Sequence, residues 1–332
     1  MSVKLSAVFV VFVVPLLCSC EDDGCPTCPP YEKPAPAGWF QQASPTQERL
    51  LRIDAIDAST AVAVGRAGTI VRTSDGGATW TVVPSPTTED LLTVFFVDGA
   101  AVWIAGMNST LLKSTDAGGT WTPVSIPVPT DLRAIQFVSA DRGYTSGGPG
   151  QGVTGERVFY ATTDGGETWQ PQTMEYSMNG IAFVDADSGC VIGGGAVWKT
   201  TDGAQTWTRY EARPPEVTAW LTDIVFVDAL EGWVSGSQGF LTKTTDGGRT
   251  WTEISSGTTR VIPEIDFLDA DHGAYVGRPT GTIAVTTDGG ANWEFQTSST
   301  TLSLYDVHFF DRDVGWVVGE EGTILKTTTG GF

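Results

Sequence analysis

The sequence predicts an all-β protein, a seven-bladed β-propeller with four strands to a blade. Three observations carry that prediction. The phrase TKTTDGGRTW at 242–251 recurs as VRTSDGGATW ending at Trp80, ATTDGGETW ending at Trp169 and VTTDGGANW ending at Trp293. Its aspartates, Asp75, Asp116, Asp164, Asp202, Asp246 and Asp288, lie 41, 48, 38, 44 and 42 residues apart. A period near forty with strand-like content is the spacing of one propeller blade per repeat. The third observation is the stretch upstream of each phrase, which alternates apolar, β-branched and aromatic residues, while no amphipathic helical pattern is found.

Each unit reads as an apolar innermost strand, a turn, a second strand ending in Gly, a Gly-rich turn, a third strand, the Asp phrase, and a fourth strand starting at Trp. The predicted innermost strands are Leu51–Asp57, Leu92–Asp98, Leu132–Ser139, Met178–Asp185, Leu221–Asp228, Ile262–Asp269 and Leu304–Asp311. The seventh phrase, TTTGGF at 327–332, stops before its Trp and fourth strand. AGWFQQASPT near the other end, with Trp39, has the form of that missing strand. The ring is therefore expected to close through an N-terminal strand at 37–44, which removes the open edges that template aggregation.

The Asp phrase is expected to be a tight hairpin between the third and fourth strands. Its carboxylate accepts backbone N–H bonds within the turn. Its glycines supply positive φ. Trp80, Trp121, Trp169, Trp207, Trp251 and Trp293 cover the turns and fill space between blades. Ala204 in blade four replaces the second Gly, and Thr329 in blade seven replaces the Asp, so these two turns should be less comfortable.

The formal net charge is -20 and the pI about 4.3. Six of the 19 basic residues are lysines, which leaves 13 arginines. Such a chain is a poor match for phosphate backbones or an anionic membrane surface, so a nucleic-acid binder is excluded.

The N-terminus reads as an address. Lys4 precedes an apolar run too short to span a bilayer comfortably, which ends in Leu17-Cys18-Ser19-Cys20. This resembles a bacterial lipoprotein signal. The resemblance implies cleavage before Cys20, acylation of Cys20, and an exported, membrane-anchored protein of the bacterial cell envelope held by its N-terminal lipid alone. The alternative is an ordinary secretory signal cut nearby. The expected division is a signal peptide at 1–19, a tether rich in Pro and acids at 20–36, and the propeller at 37–332. Within the tether, Cys25 and Cys28 read as a small local disulfide in an oxidising compartment, since no helix follows to lower a thiol pKa.

The pattern Ser/Thr-x-Asp-x-Gly-x-x-Trp resembles the Asp-box of sialidase-like propellers, in which it lies on the face opposite the usual binding face. A longer consensus is also present. Gly315-Trp316-Val317-Val318-Gly319 and Gly322-Thr323-Ile324-Leu325-Lys326-Thr327 follow it, as do residues 64–73. Over roughly residues 37–332 this resembles the seven-bladed propellers of the photosystem II stability and assembly factor family. The resemblance implies a non-enzymatic protein that binds membrane-protein subunits through an Arg-rich patch.

No catalytic constellation is legible. The Arg-Ile-Pro phrase of sialidases is absent, the two histidines give no Ser-His-Asp pattern, and Gly147-Gly148-Pro149-Gly150 lacks the Lys and helix of a phosphate loop. Tyr305 with Glu264 is the nearest approach to a glycosidase nucleophile pair. Arg66, Arg260 and Arg278 fall on loops where a binding face is expected. Cys190, standing where other blades have Trp233 and Trp316, reads as a buried small residue. Two functions remain: a scaffold that grips a protein partner, and a glycan-binding or sialidase-like propeller. Tyr210 and Trp220 flank the longest inter-blade connection, EARPPEVTA, and are the expected contacts for either ligand.

The innermost strands place acids on one arc of the expected central channel: Asp54, Asp223, Glu264, Asp266 and Asp306, with Arg52 and His308 beside them. Carboxylates sharing a narrow pore raise one another's pKa or recruit a cation. Oxygen ligands suit Ca²⁺ better than zinc. The alternative is a water-filled channel whose acids are solvated.

Overall fold

The computed structural model describes residues 38–149 and 156–332. The expected signal, Cys20, Cys25 and Cys28 lie outside these residues. Seven antiparallel four-stranded sheets make up the described chain. Blade one is typical: Leu50–Ala55 innermost, then Ala61–Gly65, Ile70–Thr73 and Thr81–Val82.

Blade seven is built from both ends of the propeller. Leu304–Phe309, Gly315–Gly319 and Ile324–Thr327 are completed by Phe40–Gln41, with Phe40 opposite Lys326 and Gln41 opposite Leu325. The closing strand is shorter than the 37–44 expected. The Gln42 amide adds one bond to the Ile324 carbonyl at 2.8 Å, and the chain then leaves the sheet to enter blade one. Trp39 fixes the closure by packing: it is 4% exposed and meets Phe309 edge-on at 5.6 Å.

The innermost strands end two residues before the aspartates that were expected to close them. Asp57 shows why. Its Oδ1 accepts the amides of Ser59 and Thr60, both at 2.7 Å, so the residue belongs to a turn. Asp98, Asp185, Asp228, Asp269 and Asp311 do the same in their blades, and the Ser139 hydroxyl accepts from the Arg142 amide in blade three.

The six repeated aspartates hold the other turns. Asp75 Oδ1 accepts from the Thr79 amide at 2.9 Å and the Thr73 hydroxyl at 2.8 Å, while Oδ2 accepts from the Thr79 hydroxyl at 2.6 Å. Those bonds to the charged form hold Asp75 down at about 2. Asp116, Asp164, Asp202, Asp246 and Asp288 repeat the pattern.

Aromatic rings and lysines join blade to blade. Trp103, Trp233 and Trp316 on second strands are fully buried. Trp233 stacks on Phe267 of the next blade at 3.6 Å. Lys113, Lys243 and Lys326 lie over these three indoles at 5.1, 4.7 and 5.0 Å. Their neighbours are the Asp turns of the following blade: Lys113 donates to the Gly165 carbonyl at 2.9 Å, Lys326 to Gly76 at 2.6 Å, and Lys199 to Gly247. The lysines of the described residues are thereby engaged in the frame.

Ala204 adopts φ +69° where Gly77, Gly166 and Gly248 have φ +84°, +82° and +83°. An L residue in the left-handed region is strained. Ala204→Gly is expected to stabilise the protein by about 1 kcal/mol, read by urea denaturation. An unchanged or lower midpoint would show that the alanine methyl packs well enough to offset its backbone strain.

Candidate functional site

Strand direction divides the ring into two ends. Turns between strands one and two and between strands three and four share one end. The other end holds the turns between strands two and three and the connections between blades. The first end carries the two sets of turn aspartates described above. The second end contains a depression of about 900 Å³ around the axis, and its lining includes seven of the 13 arginines: Arg49, Arg52, Arg66, Arg133, Arg157, Arg213 and Arg278. A chain of net charge -20 thus presents a cationic pole.

β-Bulges build the floor of this pole. Every innermost strand slips register near its start by one extra residue, and in blade six the partner strand also skips Gly277. A bulge re-aims a side chain that a regular strand would direct elsewhere. The residues skipped by the ladder include Leu51, Leu92, Arg133, Asn179, Thr222, Pro263 and Tyr305, and all seven line the depression. In six blades the second strand ends in a glycine that makes room for the bulge, and in blade six it ends in Arg278. A Cβ on Gly65 would lie 2.0 Å from the Arg49 carbonyl oxygen.

Four of the arginines face acids. Arg49 pairs with Glu320 at 2.9 Å, Arg52 with Glu264 at 2.6 Å, Arg66 with Asp90 at 3.2 Å, and Arg133 approaches Asp131 at 3.7 Å. Arg49 and Arg278 also lie over the Tyr305 ring, at 5.1 and 5.0 Å. Tyr305 donates to Glu320 at 3.2 Å. Glu264 pairs with Arg52, so the Tyr305–Glu264 couple considered from sequence is not formed. Burial pushes Glu320 up, but bonds from Ser303 and Tyr305 and the charge of Arg49 outweigh it and leave Glu320 below its ordinary range. So stabilised a carboxylate is a weak base for activating a phenol.

Below the pole an axial cavity of about 230 Å³ is lined by Asp54, Asp223, Glu264, Asp266 and Asp306 together with Arg52 and His308. These acids turn sideways onto neighbouring blades. Asp54 accepts the Phe96 amide at 2.7 Å, Asp223 the Ile265 amide at 3.3 Å, Asp266 the Phe309 amide at 2.7 Å and Asp306 the Ile53 amide at 2.6 Å. Gln136 performs the same task between blades three and four, accepting from the Phe183 amide at 2.7 Å and donating to its carbonyl at 3.2 Å. His308 stands between Asp54 and Asp266, 3.4 and 3.9 Å away. Among the described residues no group of three or more His, Cys, Asp or Glu is arranged to hold a metal ion. The carboxylates answer to backbone amides, Arg52 and His308.

Trp220 lines the depression and is 69% exposed. Tyr210 is elsewhere, on the outermost strand Thr208–Tyr210 of blade four, paired with Val197. Of the three arginines flagged from sequence, Arg66 and Arg278 line the pole and Arg260 does not. Cys190 is buried, and burial pushes its thiol up to about 12, which leaves it protonated and inert.

With this geometry in view, comparison with known proteins is informative. The family model described as photosynthesis system II assembly factor YCF48 matches residues 32–171, 173–260 and 251–331. The chain belongs to the YCF48 family. A solved structure described as YCF48 bound to D1 peptide is 20% identical, with a TM-score of 0.73, over 89% of this chain and 98% of that one. YCF48 from Cyanidioschyzon merolae is 21% identical, with a TM-score of 0.71, over 88% and 99%. A catalytically inactive virginiamycin B lyase from Staphylococcus aureus shares the fold at 13% identity and a TM-score of 0.72, over 87% and 98%. No curated protein matches the chain.

The axial acids of this YCF48-family propeller make its stability depend on pH. Burial pushes Asp306 up to about 7 and Asp223 to about 6, against the pull of Arg52. A raised carboxyl pKa means that the folded state holds a proton which the unfolded chain releases near pH 4. Stability is therefore expected to fall as pH rises from about 4 through about 7. Asp306→Asn retains an acceptor for the Ile53 amide and removes the ionisation. Denaturant midpoints measured across this range should decline less steeply in the variant. Parallel profiles for variant and wild type would contradict the assignment.

Proposed function

We propose that the protein is a non-enzymatic scaffold of the bacterial cell envelope that grips a protein partner with its arginine-lined pole, in the manner of an assembly factor. The observation that carries this reading is the gathering of seven arginines into one depression on a strongly acidic chain. Such a pole focuses positive potential and draws an acidic segment, while the acidic remainder of the surface repels unselected anions. Membership of the YCF48 family and a relative whose structure carries D1 peptide support a peptide-like partner. The partner is not thereby a photosystem subunit; what the pole selects is negative charge in an accessible segment.

The proposed attachment is acylation of Cys20 after cleavage of residues 1–19, with 20–36 as the tether and Cys25–Cys28 as a local disulfide. It rests on the Leu-Cys-Ser-Cys sequence. Cys20→Ser is expected to move the protein from the detergent phase to the aqueous phase in a detergent-partition assay, with loss of the lipid mass on the mature N-terminus. Retention in the detergent phase would refute it.

The binding role is tested by affinity capture of the full tethered protein from its native envelope, followed by mass spectrometry. A partner recovered with wild type should disappear with Arg133→Glu/Arg278→Glu and remain with Asp246→Asn, which alters only a turn at the opposite end. Loss with Asp246→Asn at unchanged melting temperature would place binding on the wrong end.

A further inference from the structure

The pole arginines are not equivalent. Arg49, Arg52, Arg66 and Arg133 each have an acid within 4 Å, as given above. Among the described residues Arg157, Arg213 and Arg278 have none. Among the described residues the Nε of Arg133, Arg213 and Arg278 are shielded from solvent and donate to no acceptor, and of these three Arg133 alone has an acid nearby. A buried donor without a partner loses free energy that an incoming acceptor restores. The stack of Arg278 on Tyr305 orients its guanidinium before any ligand arrives. The three open cations are carried by blade three, the connection from blade four to five, and blade six, so they span the sector of the rim from blade three to blade six.

Trp220 belongs to the same sector, and its exposure is enforced. Its amide donates to the Ser237 hydroxyl at 2.8 Å and its carbonyl accepts from the Ser237 amide at 2.9 Å. Its neighbours Ala219 and Leu221 are buried at 1% and 4% exposure. The backbone is therefore fixed while the indole stands in solvent, which is a low-entropy presentation of a large apolar contact. Of the large exposed hydrophobic side chains, Trp220 is the one that lines the pole.

We propose that the partner is bound through a linear peptide segment in which carboxylates flank a large apolar side chain, with Arg157, Arg213 and Arg278 receiving the carboxylates and Trp220 receiving the apolar group. Arg49, Arg52, Arg66 and Arg133 hold the frame of the pole and add only background potential. This rests on the pole being the binding face. It goes further in naming which groups select the partner and what chemistry they select.

The test uses the full chain and synthetic fluorescent peptides, read by fluorescence anisotropy. One peptide carries acidic residues on both sides of a Trp. A second replaces the acids with Ser, a third replaces the Trp with Ala, and an oligogalacturonate serves as an acidic glycan. The first peptide should bind, and the second and third should bind at least about tenfold more weakly. Arg157→Ala, Arg213→Ala, Arg278→Ala and Trp220→Ala should each cost about tenfold, whereas Arg66→Ala/Asp90→Ala should change binding by no more than about twofold. Failure of the first peptide to bind overturns the proposal, as does preferential binding of the oligogalacturonate. A loss with Arg66→Ala/Asp90→Ala equal to that of the other variants overturns the division of the arginines while leaving the pole as binding face. Binding of the first peptide that survives all of these variants overturns both.

Discussion

The innermost strand of each blade has one edge without a neighbouring strand, and that edge faces its counterparts around the axis. Backbone amides there must find acceptors, because an unpaired buried N–H costs about as much as a lost hydrogen bond. At five of the seven junctions a side chain of the preceding blade meets this need: Asp54, Gln136, Asp223, Asp266 and Asp306. The arrangement closes the ring from within, as Phe40–Gln41 closes it from outside. It also explains the gathering of carboxylates around a narrow cavity. Their positions follow from what the next blade's backbone requires, and Arg52 and His308 offset the resulting charge.

The same economy governs the rest of the charged surface. Aspartates at one end are committed to turns, where they accept amide and hydroxyl donors. Lysines of the described residues are committed to aromatic rings and to carbonyls of the next blade's turn. What remains outside the frame is a set of arginines at the opposite end, set around a floor of bulged residues. Net charge therefore misleads about binding here. It is dominated by residues that serve the fold, and in the proposed reading recognition falls to the pole arginines without an acid partner.

Much of the architecture was legible because repetition identifies equivalent residues. The missing Trp of the seventh phrase and the surplus Trp39 were enough to deduce closure, and the alternation around Ile53, Ile224 and Val307 placed the axial residues on one side of each strand. The pole was not legible for physical reasons. The register slip is marked only by a three-residue step between apolar residues, as from Leu50 to Ile53, and the re-aimed Leu51, Arg133 and Tyr305 looked like ordinary strand residues. Their signal was a position two before the central apolar residue that varies from blade to blade directly after a constant apolar neighbour. Arg49 and Arg213 come from connections of unequal length, which no period aligns, and Arg278 ends a second strand where the other blades have Gly. Asp57 and its equivalents were read as strand ends because a side chain that captures two amides reads the same, in sequence, as a polar residue closing a strand. Tyr210 and Trp220 looked alike as flanks of one insertion, and only the fold separated the outer strand from the pole.

The central claim is that the acidic end serves the fold and the arginine pole serves binding. Amide hydrogen exchange of the protein with and without its captured partner tests this most directly. If the pole binds the partner, added protection is expected at the starts of the innermost strands, around Leu51, Arg133, Asn179 and Tyr305, and in the 211–222 connection, with the turns at 75–80 and 244–250 unchanged. Protection concentrated in those turns, with the pole exchanging as in the free protein, would contradict it.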